Sequence, residues 1–161
     1  MTDAKPKKAK AEEIAVNEKK WGKQTIAVGW TLVPNMLLER QAVLGINSTQ
    51  LNVLLVILKH WWEQETLPFP EMNTIAKMIG LSRSTVQRNI RELEGAGFIK
   101  RIVRKKRNGG NNSNQYDFTG LIELLKPFAT EELKQREEQK QEKQNRLTIK
   151  GNRPALKVVK S

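Results

Sequence analysis

Cysteine is absent from this chain, and histidine occurs once, at His60. The absence of cysteine excludes disulfide frameworks, thiolate nucleophiles and cysteine-ligated zinc or iron–sulfur centres. A single histidine cannot form a histidine cluster, and the sequence contains neither a phosphate-binding glycine loop nor a nucleophile–base pair. We therefore expect no cofactor, no metal site and no enzymatic activity.

Long apolar runs are also missing. No apolar segment approaches the roughly 18–20 residues that a membrane-spanning helix needs. The basic N-terminus, MTDAKPKKAK, lacks the apolar core of a secretory signal. These two absences predict a soluble, cytoplasmic protein that makes no membrane contact.

Acidic residues are in the minority. The chain has 29 Lys and Arg against 17 Asp and Glu, which gives a formal net charge of +12. Much of the excess is local, because the segment from Lys100 to Arg107 is dominated by basic side chains. A clustered positive charge indicates a polyanionic partner, with nucleic acid ahead of an anionic membrane surface.

The 161 residues fit one domain of about 100 residues with two extensions. Residues 1–20 have little to bury and are expected to form a flexible basic arm. Residues 21–128 are expected to form the folded domain. Residues 129–161 form a charged tail, helical or disordered, without the apolar stripe of a coiled coil. Within this tail the apolar stretch ALKVV, residues 155–159, is a candidate for docking on a protein partner or on the domain itself.

The first half of the domain is expected to begin with an extended run over residues 21–33. Pro34 suits the first turn of a helix that ends at Gly45. The next helix is capped by Ser48 or Thr49. It is predicted to continue through Leu51, Leu54, Leu55 and Leu58 to Trp61 and Trp62, with both tryptophans in the core.

The second half contains two short helices and an extended pair. A helix over about residues 71–79 ends at Gly80, and Ser82 caps a further helix that runs to about Gly95. Residues FIKRIVRKKR, the glycine-rich loop NGGNNSN and residues QYDF then predict a hairpin. A last core helix is expected over LIELLKPF and is limited by Pro127.

The helix after Ser82 has two faces. At 100° per residue, Val86, Ile90 and Leu93 form one buried stripe. The opposite face has no acidic residue in its first two turns and presents Arg and Gln, which suit guanine and adenine edges. Its outward residues are Ser84, Arg88 and Arg91, flanked by Thr85 and Gln87.

The stretch FPEMNTIAKMIGLSRSTVQRNIRELEGAGFIKR resembles the winged-helix domain of bacterial helix-turn-helix regulators and of plasmid or phage replication initiators. The resemblance extends over about residues 21–128 and implies a mainly α fold with a small β-hairpin. It also implies that residues 83–91 enter the major groove of DNA and that the loop around residues 104–114 contacts the flanking backbone or the minor groove. The candidate DNA-binding residues are Ser82, Arg83, Ser84, Thr85, Gln87, Arg88, Arg91, Arg104, Lys105, Lys106, Arg107, Asn111 and Asn112.

The leading hypothesis is a sequence-specific, double-stranded DNA-binding protein, either a transcriptional regulator or a replication-initiation protein of a mobile element. The alternative is a winged-helix protein-interaction module within a larger complex, which predicts an apolar patch on the same helix or hairpin. RNA binding is a third hypothesis and would favour exposed aromatic side chains on the wing. The helix over residues 48–62 is apolar nearly all round, so either the preceding residues or a second subunit covers its other face, and a homodimer remains open.

Overall fold

The structure, a computed structural model, describes residues 5–104 and 113–151, and the side chains of residues 13–104 and 113–146. Five candidate DNA-binding residues of the wing, Lys105, Lys106, Arg107, Asn111 and Asn112, lie outside the described residues, as does the stretch 155–159. The elements are α1 (Lys5–Trp21), α2 (Lys23–Ala27), α3 (Asn35–Glu39), α4 (Ser48–Lys59), α5 (Met72–Ile79), α6 (Arg83–Gly95), β1 (Lys100–Ile102), β2 (Gln115–Asp117) and α7 (Thr119–Gly151).

The core lies where α4, α5 and α6 pack against one another. The predicted stripe of α6 is confirmed, because Val86, Ile90 and Leu93 are all buried. The hairpin closes one side of this core with the buried side chains of Tyr116 and Phe118. The other buried apolar residues are Leu37, Ile46, Val53, Leu54, Ile57, Ile75, Ala76, Phe98, Ile99, Leu121 and Leu125. The described residues are mainly α-helical with a small hairpin, as the sequence predicts.

A tight turn joins α5 to α6, and its geometry depends on two residues that the sequence singles out. Gly80 ends α5 in the left-handed conformation, with φ of 68°, and the next N–H, that of Leu81, donates to the Ala76 carbonyl at 3.0 Å. Ser82 then caps α6, since its hydroxyl accepts from the Thr85 N–H at 3.1 Å. The predicted helix–turn–helix unit is therefore present.

The two strands form an antiparallel hairpin in which Arg101 is opposite Tyr116. The Tyr116 N–H donates to the Pro68 carbonyl at 2.9 Å, which attaches the loop before α5 to the free edge of β2. The start of α7 packs on the turn before β1, where a Cβ on Gly120 would overlap the Gly97 carbonyl oxygen. The hairpin is thus held on both of its flanks.

The first 33 residues differ from the sequence-based expectation. The structure has α1 over most of the expected flexible arm, and α2 lies within the run over residues 21–33 that the sequence predicts to be extended. Alanine, lysine and glutamate are strong helix formers, which accounts for α1. In the second segment the β-branched residues Thr25, Ile26 and Val28 favour a strand, but the described part of the chain has no neighbouring strand there to pair with.

The helix bounds around α3 and α4 also differ. α3 ends at Glu39, and a series of turns rather than a helix continues to Gly45. The cap of α4 is Asn47, not Ser48 or Thr49, because Asn47 and Gln50 form a reciprocal capping box.

The prediction that both tryptophans are core residues is wrong for one of them. α4 ends at Lys59, so Trp61 and Trp62 come after the helix instead of ending it. The Trp61 ring stacks on Phe118 with a centroid distance of 5.6 Å. Trp62, in contrast, is 73% exposed.

The prediction that Pro127 limits the last helix is wrong, because α7 continues through it for 33 residues in all. Pro127 removes the N–H that would reach the Glu123 carbonyl, but both residues are exposed, so water can satisfy that carbonyl. Every side chain from Leu133 to Arg146 is exposed. α7 is the longest helix of the described part, where no helix combines the length and the apolar character needed to cross a membrane.

Candidate nucleic-acid interface

The first turn of α6 is organised by the hydroxyl of Ser82. Besides capping the Thr85 N–H, this hydroxyl lies 2.9 Å from the Ser84 hydroxyl and 2.8 Å from the Thr85 hydroxyl. Ser82, Ser84 and Thr85 are all candidate DNA-binding residues, and the structure brings the three hydroxyls together. The main function of Ser82 in this geometry is to start the helix.

The basic side chains of α6 share its outward surface. Arg83, Arg88 and Arg91 are exposed, and the Arg88 side chain keeps 71% of its accessible surface. Gln87 is half-buried beside them. Three guanidinium groups at the surface of one helix form a positive strip of the kind that nucleic-acid phosphates attract.

The two acidic residues of α6 are engaged by other parts of the fold. Glu94 accepts the backbone N–H of Arg101 at 3.2 Å and pairs with its guanidinium at 3.3 Å. Glu92 accepts from the Gln50 amide at 3.0 Å and lies 4.0 Å from Arg88. The carboxylates therefore attach α6 to β1 and α4, and Glu92 is also an ion-pair partner of Arg88.

Asn89 is a buried polar residue of α6 that the sequence does not single out. It is 4% exposed, and its side-chain amide donates to the Thr85 carbonyl at 2.8 Å. This bond within the helix gives the buried amide a hydrogen-bond partner. The buried face of α6 therefore includes a polar residue next to Val86, Ile90 and Leu93. No apolar periodicity marks this position, because asparagine is normally a surface residue.

A cleft of about 460 Å³ lies between α5, α6 and the hairpin. Two of the predicted residues, Arg83 and Gln87, line it. Asn73, Arg101 and Asn114 also line it, and none of these three is among the residues predicted from the sequence. Asn73 lies on α5, Arg101 on β1 and Asn114 directly before β2, so only the folded chain brings them next to α6. Their amide and guanidinium groups can donate hydrogen bonds to phosphates or to base edges.

Arg104 is the one basic residue of the predicted wing cluster 104–107 that the structure describes, and it is engaged within the protein. Its guanidinium donates to the Ser113 carbonyl and to the Ser113 hydroxyl, both at 2.9 Å. The same group lies over the Phe69 ring, 4.5 Å from the centroid. Arg104 therefore joins the two ends of the wing loop and fixes them to the loop before α5.

Two titratable groups of the hairpin have pKa values that depend on their surroundings. Burial raises the pKa of the Tyr116 hydroxyl. Asp117 accepts the hydroxyl of Thr119 and, at 2.8 Å, its backbone N–H, and these bonds hold the pKa of the carboxyl below its usual range. Asp117 thereby stabilises the start of α7 directly after β2.

Together α5, the turn at Gly80, α6 and the hairpin form a winged helix-turn-helix, an architecture that places its second helix in the DNA major groove. Residues 44–99 match the sequence model of a family described as a helix-turn-helix domain. The matched residues include α4, α5, the turn at Gly80 and α6, so the helix-turn-helix part of the resemblance identified from the sequence is confirmed. Comparison with curated proteins gives no match.

Among solved structures, the chain is similar to the N-terminal domain of DnaD protein from Geobacillus kaustophilus HTA426, with a TM-score of 0.51 and 23% identity over 71% of this chain and 93% of that chain. It is also similar to a possible transcriptional regulator from Methanosarcina mazei Go1, with a TM-score of 0.41 and 20% identity over 64% of this chain and 82% of that one. A third similar structure is the S. aureus MepR–DNA complex, with a TM-score of 0.40 and 21% identity over 71% and 89% of the two chains. At these identities the first similarity supports the fold alone.

Proposed function

We propose that this chain is a sequence-specific, double-stranded DNA-binding protein without catalytic activity of its own. The observation that carries the proposal is the outward surface of α6, where Arg83, Arg88 and Arg91 are exposed and where the first two turns carry no acidic residue. The protein would act as a transcriptional regulator or as a replication-initiation protein of a mobile element.

α6 is the recognition helix in this proposal, with its N-terminal half in the major groove. An arginine such as Arg88 can donate two hydrogen bonds to guanine, and Gln87 can bond both the donor and the acceptor of adenine. Asn73 and Asn114, which line the cleft beside α6, would bond phosphates along the same groove.

Recognition of bases requires a helix whose position is set before DNA arrives, and α6 meets this requirement. Three apolar side chains anchor its inner face in the core. The Gln50–Glu92 bond joins it to the N-terminal turn of α4, and the Glu94–Arg101 pair joins it to β1. A pre-organised helix loses little conformational entropy on binding, which favours affinity.

The wing contributes affinity rather than sequence discrimination. Its loop carries Lys105, Lys106 and Arg107, and two glycines and four asparagines come after them. Lysine and arginine neutralise phosphates, and glycine allows the backbone to approach them closely. Arg104 holds the two ends of this loop, so its contribution to binding is the position of the wing.

The protein-interaction alternative predicts an apolar patch on α6. In the described structure all exposed and half-buried side chains of α6 are polar or charged: Arg83, Ser84, Thr85, Gln87, Arg88, Arg91, Glu92 and Glu94. This surface favours DNA over an apolar protein partner.

The test is selection of bound duplexes from a random DNA pool, with equilibrium binding then measured over a salt series. We expect one enriched sequence, preference for duplex over single strands, and a log–log salt slope near −5 if about six phosphates are neutralised. A slope near zero, or a preference for single-stranded DNA or RNA, would contradict the proposal. The genomic position of the selected site separates the two roles, since an initiator predicts iterated repeats at an origin and a regulator predicts a promoter.

A further inference from the structure

An apolar groove of about 640 Å³ lies on a part of the domain that does not include α6 or the hairpin strands. Its walls come from α1, α2, the segment after α2, α3, the end of α4 with the residues that follow it, and the start of α7. Most of the lining is aliphatic or aromatic, and it includes the side chains of Ile26, Trp30, Leu58, Trp62, Ile122 and Leu125.

The described part of the chain leaves this groove open. Trp62 is 73% exposed, and Ile122 is 41% exposed although it shares the groove with Leu125 and Trp61. Apolar surfaces of this kind usually mark a binding site, because their exposure to water is unfavourable. An occupant with aliphatic side chains would bury them.

One segment of the chain outside the described structure has the right composition. Residues 1–4 read MTDA and residues 105–112 read KKRNGGNN, whereas residues 152–161 read NRPALKVVKS and contain Leu156, Val158 and Val159. The stretch 155–159, which we call the apolar tail, is therefore the candidate occupant that the sequence supplies.

The apolar tail cannot reach the groove of its own chain along α7. Leu125 is the groove residue nearest to the C-terminal end of α7, and Gly151 lies about 39 Å further along the helix at 1.5 Å per residue. Eight residues from Gly151 to Val159 span at most about 29 Å when fully extended. Ala155, at the start of the apolar tail, is limited to about 14 Å from Gly151.

The last part of α7 does not pack against the domain. Side chains from Leu133 to Arg146 are all exposed, and the ion pairs Arg136–Glu132 and Arg146–Glu142 are between neighbours on the helix itself. The stretch from Leu133 to Arg146 therefore buries no side chain against its own domain.

We propose that the apolar tail of one copy binds in the groove of a second copy, so that two chains exchange their tails. A two-fold arrangement satisfies both grooves at once, because each chain supplies one tail and one groove. Leu156, Val158 and Val159 pack against Trp30, Trp62 and Ile122, which excludes water from both apolar surfaces. This assembly does not depend on the proposed DNA binding.

The first experiment is sedimentation equilibrium on the full chain, on a variant truncated after Gly151, and on the double variant Leu156→Asp, Val158→Asp. We expect the full chain to be dimeric at tens of micromolar and both variants to be monomeric with unchanged circular dichroism. A monomeric full chain, or a dimer that survives truncation, would overturn the proposal.

The groove is tested with two matched substitutions on α7, Ile122→Glu inside it and Leu133→Glu outside it. Both residues are exposed on the same helix, so a change that acts only through helix stability affects them alike. Ile122→Glu should produce monomers and Leu133→Glu should not. If both substitutions change the oligomeric state equally, the groove is not the site that binds the apolar tail.

A peptide corresponding to residues 152–161, added to the truncated chain, provides a direct test that needs no dimer. Three of the four tryptophans, Trp30, Trp61 and Trp62, line the groove, so saturable binding should change tryptophan fluorescence. The same peptide with Leu156→Asp and Val158→Asp should leave the tryptophan fluorescence unchanged. Absence of a saturable change with the unmodified peptide would overturn the proposal.

Discussion

The guanidinium of Arg104 lies 4.5 Å above the ring of Phe69, a residue 35 positions earlier in the chain, while it donates two hydrogen bonds to Ser113. The contact ties the loop before α5 to both ends of the wing. The sequence predicts that Arg104 contacts DNA, whereas in the structure its guanidinium positions the wing.

Substitution of Arg104 separates these two roles. Arg104→Lys keeps the charge but loses the planar fork and the stacking, so we expect a decrease of about 1–3 kcal/mol in the free energy of unfolding, close to that of Arg104→Ala. Phe69→Ala should lower stability in the same direction, although it changes no charge. Urea denaturation measures the three values. If Arg104→Lys is as stable as the original chain and binds DNA equally well, Arg104 acts as a charge alone.

The charges of the wing are best tested with Arg104 left in place. The triple variant Lys105→Ala, Lys106→Ala, Arg107→Ala should weaken binding to cognate and random duplexes alike, since phosphates are common to both. The log–log salt slope should decrease by roughly 0.9 for each phosphate that is no longer neutralised. Circular dichroism checks that the fold is kept. Unchanged affinity and slope would show that the wing is a solvated edge.

Arg88→Ala should cost about 1–3 kcal/mol of binding free energy at the cognate site and less on random DNA. A matched control is Arg136→Ala, because Arg136 is an exposed arginine that also pairs with a glutamate four positions away, on α7 and outside the proposed interface. The control should leave cognate affinity nearly unchanged. Equal decreases for Arg88→Ala on cognate and random DNA would make Arg88 a phosphate contact and move specificity to Gln87 or Arg83.

Gly120 is required by contact rather than by backbone conformation. A Cβ at Gly120 would overlap the Gly97 carbonyl oxygen, so Gly120→Ala must shift α7 and should cost about 1–3 kcal/mol of stability. Gly95→Ala is the control, since a Cβ there meets nothing within 4 Å at the end of α6. That substitution should stabilise the fold by about 0.5–1 kcal/mol. Thermal melts that rank the two variants in the opposite order would contradict the packing described.

His60 makes stability depend on pH in one narrow range. Burial, and secondly the positive charge of Lys59, hold the pKa of His60 below its ordinary value of about 6.5. The neutral ring is therefore favoured in the folded state, and the stability that is present above about pH 6.5 decreases as the pH falls below it. Denaturation of the original chain and of His60→Gln between about pH 7.5 and 5.5 should show a slope in the first and little slope in the second. Identical slopes for the two proteins would show that His60 does not cause the pH dependence of stability.

The sequence predicts the elements whose cues are local. Gly80 and Ser82 end one helix and begin the next within three positions, and the stripe of Val86, Ile90 and Leu93 has helical spacing, so the helix–turn–helix unit is correct. Asn47 could not be distinguished from Ser48 and Thr49 as a cap, because the choice depends on the reciprocal bond with Gln50.

The rest of the candidate site depends on contacts between distant residues. No local sequence pattern predicts the Arg104–Phe69 contact or the Gln50–Glu92 bond, because the partners lie 35 and 42 positions apart. The extended run expected over residues 21–33 fails for a related reason, since β propensity produces a strand only where another strand is available to pair with. Residue type alone identifies the charges of α6, but not which acidic side chains the fold engages elsewhere.

The length of α7 limits how two copies can be arranged along DNA. From Leu125 to the far end of the apolar tail the chain spans at most about 70 Å, which corresponds to about 20 base pairs of B-form duplex at 3.4 Å each. Two copies that exchange tails while bound to one duplex must therefore keep the grooves of the two domains within about this distance of each other. An arrangement on DNA that separates the two grooves further would force the copies to bind independently.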